Sequence, residues 1–339
     1  MSKPPKHILV IRLSAMGDVV MIVPVLRAFT QQFPDVKITV LTREFFTPLF
    51  RDLPNISVFP AEVKGKHKGI FGLYKLSIEL RKLRIDALAD LHNVLRSRIL
   101  KFFLFGIKCI HINKGRAEKK ALVSGQTFKQ LKTSHQRYAD VFEKLGFKLV
   151  LSHPSFPEQS ILNNKTLAIV GSDKLKWIGI APFAQHESKM FPLDLMTIVI
   201  ATLSKKHKLF LFGGGQQEID ILNSIENNHE NVINLAGKLS LSEELDVISN
   251  LDVMLSMDSG NAHLAAMLGK KVITIWGVTH PFAGFAPFNQ PLNYALLSDR
   301  NKYPKIPTSI YGNKYSESYK EVSRSIFPET IIKKVEDII

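Results

Sequence analysis

Cysteine is nearly absent: Cys109 is the single one among 339 residues. An intrachain disulfide framework and a cysteine-built metal site are thereby excluded, and the composition fits a reducing compartment. Long apolar runs are missing as well. No stretch approaches the roughly 18–20 apolar residues that a spanning helix needs. The opening "MSKPPKHILVIRL" carries basic residues ahead of an apolar run, but the run stops at Arg12, too short for a signal-peptide core. Acidic residues are scarce, 30 Asp and Glu against 45 Lys and Arg, for a net charge of +15. So basic a chain calls for an anionic partner: nucleic acid, a phosphorylated ligand or an anionic membrane surface. Neither G-x-G-x-x-G nor a P-loop G-K-[ST] occurs, and the two halves share no internal repeat. A cytosolic protein is expected, with peripheral membrane contact left open.

What is present is a doubled alternation. With 45% hydrophobic residues, the chain is long enough for two cores. In the first half "HILVIRL", "KITVLT", "ISVFP", "IDALADL" and "IKCIHIN" read as strands, with "PVLRAFTQQF" and "LYKLSIELRKL" as helices between them. In the second half "WIGIAPF", "KLFLFGG", "NVINLAG", "LDVMLSMD" and "KKVITIWG" read as strands, with four amphipathic segments between them. Continuous apolar strands separated by helices argue for parallel sheets covered on both faces. The predicted fold class is therefore α/β, two parallel-sheet domains. The proline-bearing "LSHPSFPEQSILNNKT" reads as the linker. Residues 1–155 form a first domain, 156–326 a second, and 327–339 a proline-started C-terminal helix. The segment "AEVKGKHKGIFGLYK" (61–75) reads as an exposed basic loop, either solvated without a partner or a surface for an anionic acceptor near the cleft.

Chemistry-bearing residues cluster where strands end. After "LDVMLSM", Asp258-Ser259-Gly260 opens a helix, and its free backbone N–H groups make an anion site to which His263, about one turn in, can donate. Asp258 and Ser259 read equally well as mere N-cap residues. "KLFLFGGGQQE" places Gly213, Gly214 and Gly215 after a strand, with Glu218 in the first helical turn. That is either a nucleotide-bearing turn with Glu218 on the ribose, or a tight strand-helix turn with an acidic first turn. Lys189 stands in the loop after "WIGIAPF", where it can neutralise a diphosphate as a point charge. Asp18 follows the first strand and its small-residue turn. It either caps a helix or faces a substrate and takes a proton.

Three of these stretches, "ILVIRLSAMGDVVMIVPVLRAF", "APFAQHESKMFPLD" and "SMDSGNAHLAAMLGKKVITIWGVTHP", resemble the ADP-heptose:lipopolysaccharide heptosyltransferases of glycosyltransferase family nine. "SHQRYADVFEKLG" and "LFLFGGGQQEID" support the match. The resemblance implies a GT-B fold, two Rossmann-like domains facing across a cleft, and an inverting transfer of heptose from an ADP-sugar to a lipopolysaccharide core acceptor. It implies Asp18 as the general base and Lys189 as the residue stabilising the diphosphate. Asp258 would contact the donor sugar, Ser259, Gly260 and His263 would hold phosphates, Glu218 would bond ribose beside Gly213 and Gly214, and Leu239 would lie against the base. The C-terminal helix would cross back to the first domain. No cofactor and no metal are implied, in keeping with the lack of a D-x-D motif. The implied partners are a nucleotide-sugar donor, an anionic lipid-linked glycan and the inner face of the cytoplasmic membrane, with no nucleic acid. Rival readings are a GT-B enzyme with another donor, a non-catalytic envelope-glycan binder, or a nucleic-acid binder, though no recognition-helix, zinc or aromatic-platform pattern supports the last. Two departures stand out: Phe191 replaces a tryptophan common in relatives, and residues 301–322 lack the cysteines many relatives carry there.

Overall fold

The computed structural model describes residues 4–339. The chain divides into two compact units. One holds the chain up to Lys114 together with Ser134–Ser155, and the other holds Gly115–Thr133 together with Phe156–Ile339. Residues 115–133, read with the first domain, thus belong to the second.

The first unit is built on five strands: β1 (His7–Ile11), β2 (Lys37–Thr42), β3 (Ile56–Pro60), β4 (Ala87–Asp90) and β5 (Lys108–His111). All pair in parallel in the order β3-β2-β1-β4-β5, with Ile8 of β1 opposite Ile38 on one side and Ala87 on the other. β1 is buried at every residue, as a central parallel strand must be when both faces are covered. Its helices are α1 (Met16–Val20), α2 (Val23–Gln32), α3 (Gly69–Arg81), α4 (Leu95–Phe103) and α6 (Ser134–Leu145). In α6, Tyr138, Val141, Phe142 and Leu145 recur at helical spacing and are buried. Phe29 of α2 meets Phe33, Phe142 and Phe147 at centroid distances of 5.3, 4.9 and 5.2 Å.

Part of the expected basic loop at 61–75 is not a loop. α3 begins at Gly69, and His67 is fully buried, its Nδ1 accepting from the backbone N–H of Glu62 at 3.0 Å. A Cβ on Gly72 would lie 2.4 Å from the His67 carbonyl carbon, so only glycine lets the helix start close over this turn.

The second unit has six strands: β6 (Trp177–Ala181), β7 (Lys208–Leu211), β8 (Val232–Asn234), β9 (Val253–Met257), β10 (Lys271–Trp276) and the short β11 (Ala295–Leu297), which the sequence pattern missed. The order is β11-β10-β9-β6-β7-β8, again all parallel. Its helices are α5 (Arg116–Val123), α7 (Asn164–Val170), α8 (Leu193–Leu203), α9 (Gln216–Glu226), α10 (Leu241–Asn250), α11 (Gly260–Met267) and α12 (Pro328–Glu336). α10 starts with a capping box, Ser240 and Glu243 each bonding the other's backbone N–H. The crossing of residues 327–339 to the first domain is corrected. α12 packs on α8 and buries Ile331 and Val335 in the second unit's core, because its apolar residues recur on one face.

Candidate active site

Each sheet reverses its order at one point, and open α/β sheets offer a crevice beyond the strand C-termini there. In the first unit that point lies between β1 and β4. Arg12 follows β1 directly, and its guanidinium is nearly buried. Nε donates to the Ser14 carbonyl at 2.8 Å and Nη1 to the Leu91 carbonyl at 2.6 Å, tying the ends of β1 and β4 together. Nη2 forms an ion pair with Asp18. Asp18 is therefore not the helix cap. Ala15 holds the N-cap position without a side-chain bond, and Asp18 lies within the first turn of α1, its side chain 31% exposed and oriented by Arg12.

His92, just past β4, completes this cluster. Its Nε2 is 3.5 Å from Ser14 Oγ, and its buried Nδ1 has no hydrogen-bond partner. Burial first, then the charges of Arg12 and Lys114, push the imidazole down to about 4, so it is neutral near pH 7. Below it, Asp90 is fully buried and accepts from the backbone N–H groups of His92 and Asn93, from Ser97 Oγ and from Lys101 Nζ at 2.7–3.0 Å. Asp90 fixes the turn that carries His92. Sequence reading missed Arg12 and His92. The available signal was a charged residue immediately after an all-apolar strand.

In the second unit the order reverses between β6 and β9. Lys189 ends a 3-10 turn, Glu187–Lys189, beyond β6, and Asp258 follows β9. Lys189 Nζ lies 2.8 Å from Asp258 Oδ2, with both side chains largely buried. Thr279, past β10, donates its hydroxyl to the same oxygen at 2.9 Å. Three strand ends thus converge on one carboxylate. The turn bearing Lys189 is clamped: Ser188 Oγ donates to the Gly312 carbonyl at 2.5 Å, and Val278 N–H donates to the Ser188 carbonyl at 3.1 Å. A Cβ on Gly277 would stand 2.2 Å from the Ser188 oxygen, and one on Gly312 would stand 2.5 Å from Lys189 Cγ. Phe191, the departure noted in the sequence, is fully buried, and its N–H points at Met257 Sδ at 3.1 Å.

Ser259 does occupy the N-cap of α11, but its side chain makes no capping bond; Oγ sits 3.1 Å from Ser256 Oγ instead. The first-turn N–H groups of α11, beginning at Gly260, therefore receive no side-chain cap and suit an anion. His263 lies in that first turn and is buried.

Glu218, in the first turn of α9, accepts from the Gly214 N–H at 2.8 Å, closing the glycine turn from within. A Cβ on Gly213 would meet Glu218 Oε2 at 3.1 Å. Leu239 is half-buried in the bend before α10. The ends of β9, β6, β7 and β8 thus bear, in order along one sheet edge, Asp258, Lys189, Glu218 and Leu239. Among the described residues no three His, Cys, Asp or Glu side chains gather as a metal-ligand group.

Residues 73–314 match the model of glycosyltransferase family 9 (heptosyltransferase). The chain is 26% identical over 318 residues to the lipopolysaccharide core heptosyltransferase OpsX of Haemophilus influenzae, covering 88% of this chain and 87% of that one. Among solved structures, a family 9 glycosyltransferase from Veillonella parvula aligns with a TM-score of 0.78 at 20% identity, over 100% of this chain and 98% of that one. E. coli heptosyltransferase WaaC with ADP-2-deoxy-2-fluoro heptose aligns with a TM-score of 0.67 at 17% identity, over 98% and 99% of the two chains. The two parallel sheets are those of a GT-B fold.

Proposed function

The chain belongs to glycosyltransferase family 9, the heptosyltransferases, and from that premise we propose that it moves a heptose from ADP-heptose to an anionic, lipid-linked lipopolysaccharide core acceptor with inversion at the anomeric carbon. The observation that carries the reading is the Lys189–Asp258 pair at the β6/β9 reversal, beside a helix start whose N–H groups lack a side-chain cap. The names of relatives support the sugar and the acceptor: OpsX is named a lipopolysaccharide core heptosyltransferase, and WaaC is described with ADP-2-deoxy-2-fluoro heptose.

In this reading the acceptor hydroxyl attacks the anomeric carbon from the side opposite the diphosphate. The new C–O bond forms as the anomeric C–O bond to phosphate breaks, the electron pair leaves with ADP, and the hydroxyl proton passes to Asp18. Arg12 holds the Asp18 carboxylate in place for that transfer. Charge growing on the diphosphate meets the α11 N–H groups and Lys189, whose ammonium keeps two protons beyond the one given to Asp258. Asp258, bonded by Lys189 and Thr279, orients the lysine and faces the donor sugar. Neighbouring strands are spaced about 4.8 Å apart, so β6 to β8 spans roughly 10 Å. That is enough to set diphosphate over Lys189, ribose at Glu218 and base at Leu239 in turn, with Gly213 and Gly214 allowing close approach. Two donors, the lysine and the helix start, can carry this leaving-group charge, so the transfer is proposed as metal-independent. The acceptor places the enzyme at the inner face of the cytoplasmic membrane. No nucleic-acid role is proposed.

The test is direct. Thermal unfolding is followed with ADP-heptose and with UDP- and GDP-sugars, and product is sought on a heptose-deficient core acceptor by mass spectrometry, with its anomeric configuration read by NMR. ADP-heptose at 100 times its dissociation constant adds about 2.7 kcal/mol of stability. Stabilisation and transfer with another nucleotide-sugar alone, or a retained anomeric configuration, would refute the donor or the mechanism respectively.

A further inference from the structure

α3 and α4 present to solvent the residues that helices usually hide. α3 buries Leu73, Leu76 and Leu80 against the sheet. On its outer side Phe71, Tyr74 and Ile78 follow one another at helical spacing, and Phe71 is 90% exposed. A surface helix carries polar residues on such a stripe. α4 does the same: it buries Ser97 and Leu100, while Phe102 is 76% exposed and Phe105, just past the helix, 77%. The two helices pack side by side, and the rings join into one surface. Tyr74 meets Phe103 at 5.4 Å between centroids and Phe103 meets Phe102 at 5.8 Å. Arg81 lies 5.1 Å over the Phe105 ring and donates to the Phe103 and Phe105 carbonyls. Exposed apolar surface so continuous marks a binding face.

The charge around it names the occupant. Residues 64–108 hold eleven Lys and Arg against three Asp and Glu. One of those acids, Asp90, is fully buried. Lys75, Lys82 and Arg98 are exposed among the apolar residues. Two copies of so basic a face repel one another, which disfavours self-association. Phenylalanine and isoleucine among long cationic side chains suit the boundary between headgroups and acyl chains, with the cations reaching lipid phosphates.

We propose that the α3–α4 face is a docking surface for an anionic phospholipid bilayer: its apolar residues enter the headgroup layer and its lysines and arginines bind the phosphates. This deepens the reading above by assigning the membrane contact to particular residues, and its test needs no transfer. Flotation of the full chain is measured with vesicles of phosphatidylcholine alone and of phosphatidylcholine with phosphatidylglycerol. The wild-type chain is expected to float with the anionic vesicles and to be released by salt. Phe71→Ser/Phe102→Ser/Phe105→Ser, at exposed sites that leave the fold intact, lowers the partition at least about tenfold. Lys75→Ala/Lys82→Ala weakens binding to anionic vesicles only, and Ile161→Ser, at a 97% exposed position in the second unit, changes nothing. Absence of wild-type binding, or a triple variant that floats like wild type, overturns the proposal. So does concentration-dependent dimerisation, lost in the triple variant, without vesicle binding. Transfer to a detergent-solubilised acceptor, measured in parallel, separates failure of docking from failure of the catalytic reading.

Discussion

At the scale of single residues, the two charged pairs respond differently to substitution. Asp18 is partly open and orients on Arg12 without capping its helix. Asp18→Asn therefore leaves the fold and ADP-sugar binding unchanged while transfer falls by about 10²–10⁴, the usual contribution of a positioned general base. Steady-state kinetics and calorimetric donor binding check both halves; equal loss of donor affinity would deny the assigned role. Lys189 and Asp258 are a largely buried pair. Lys189→Ala leaves a desolvated carboxylate without its cation, which costs about 3–5 kcal/mol, on top of the loss of the diphosphate stabilisation proposed for it. Activity alone would confuse the two effects. The double variant Lys189→Met/Asp258→Asn removes both charges and keeps an acceptor for Thr279. It is expected to recover most of the unfolding free energy and none of the transfer, by chemical denaturation and turnover assay.

At the scale of elements, positions after strands were legible and the contacts between strand ends were not. Ten strands could be read because parallel strands buried on both faces are continuous apolar runs. β11 escaped because three residues carry no periodicity. α4 was missed because apolar Leu95 and Phe102 stand outward beside Arg96 and Arg98, which blurs the pattern a surface helix gives. Asp18, Lys189 and Asp258 could be named from their turns, but Arg12 and His92 come together only because β4 returns beside β1. Gly312 likewise lies far along the chain from the lysine it supports. Its φ is +85°, and a Cβ would stand 2.6 Å from Lys189 Cδ. Gly312→Ala is expected to cost about 1–3 kcal/mol through backbone strain and to lower kcat roughly tenfold by shifting the ammonium. Gly269→Ala is the control: also at positive φ, its added carbon meets the Phe156 ring rather than the lysine. It is expected to lose stability while keeping kcat per folded molecule, as measured by active-site titration with turnover.

At the scale of the whole molecule, a few buried or half-buried titratable groups shape how stability depends on pH. Burial drives His92 and His280 each down to about 4 from an ordinary 6.5, so the folded chain favours their neutral forms. Their contribution is complete above pH 6.5 and is lost as pH falls through 4, where the folded chain must take up protons. Glu244 acts in the opposite direction. It lies in the first turn of α10, and burial pushes its carboxyl up to about 7 from 4.5. Below pH 4.5 it is protonated in both states and has no effect. Between 4.5 and 7 the unfolded chain gives up the proton and the folded chain retains it, so stability declines as pH rises. Above 7 the half-buried carboxylate exerts its full penalty. Glu244→Gln supplies a neutral side chain of the same shape at every pH. It should leave the unfolding free energy unchanged near pH 4 and raise it progressively to a gain of at most about 3 kcal/mol at pH 8, at 1.36 kcal/mol per pKa unit. Urea unfolding of the two proteins at pH 4, 6 and 8 reads this difference. A gain that is equal at all three values would mean that the glutamine improves packing, and the ionisation of Glu244 would then play no part.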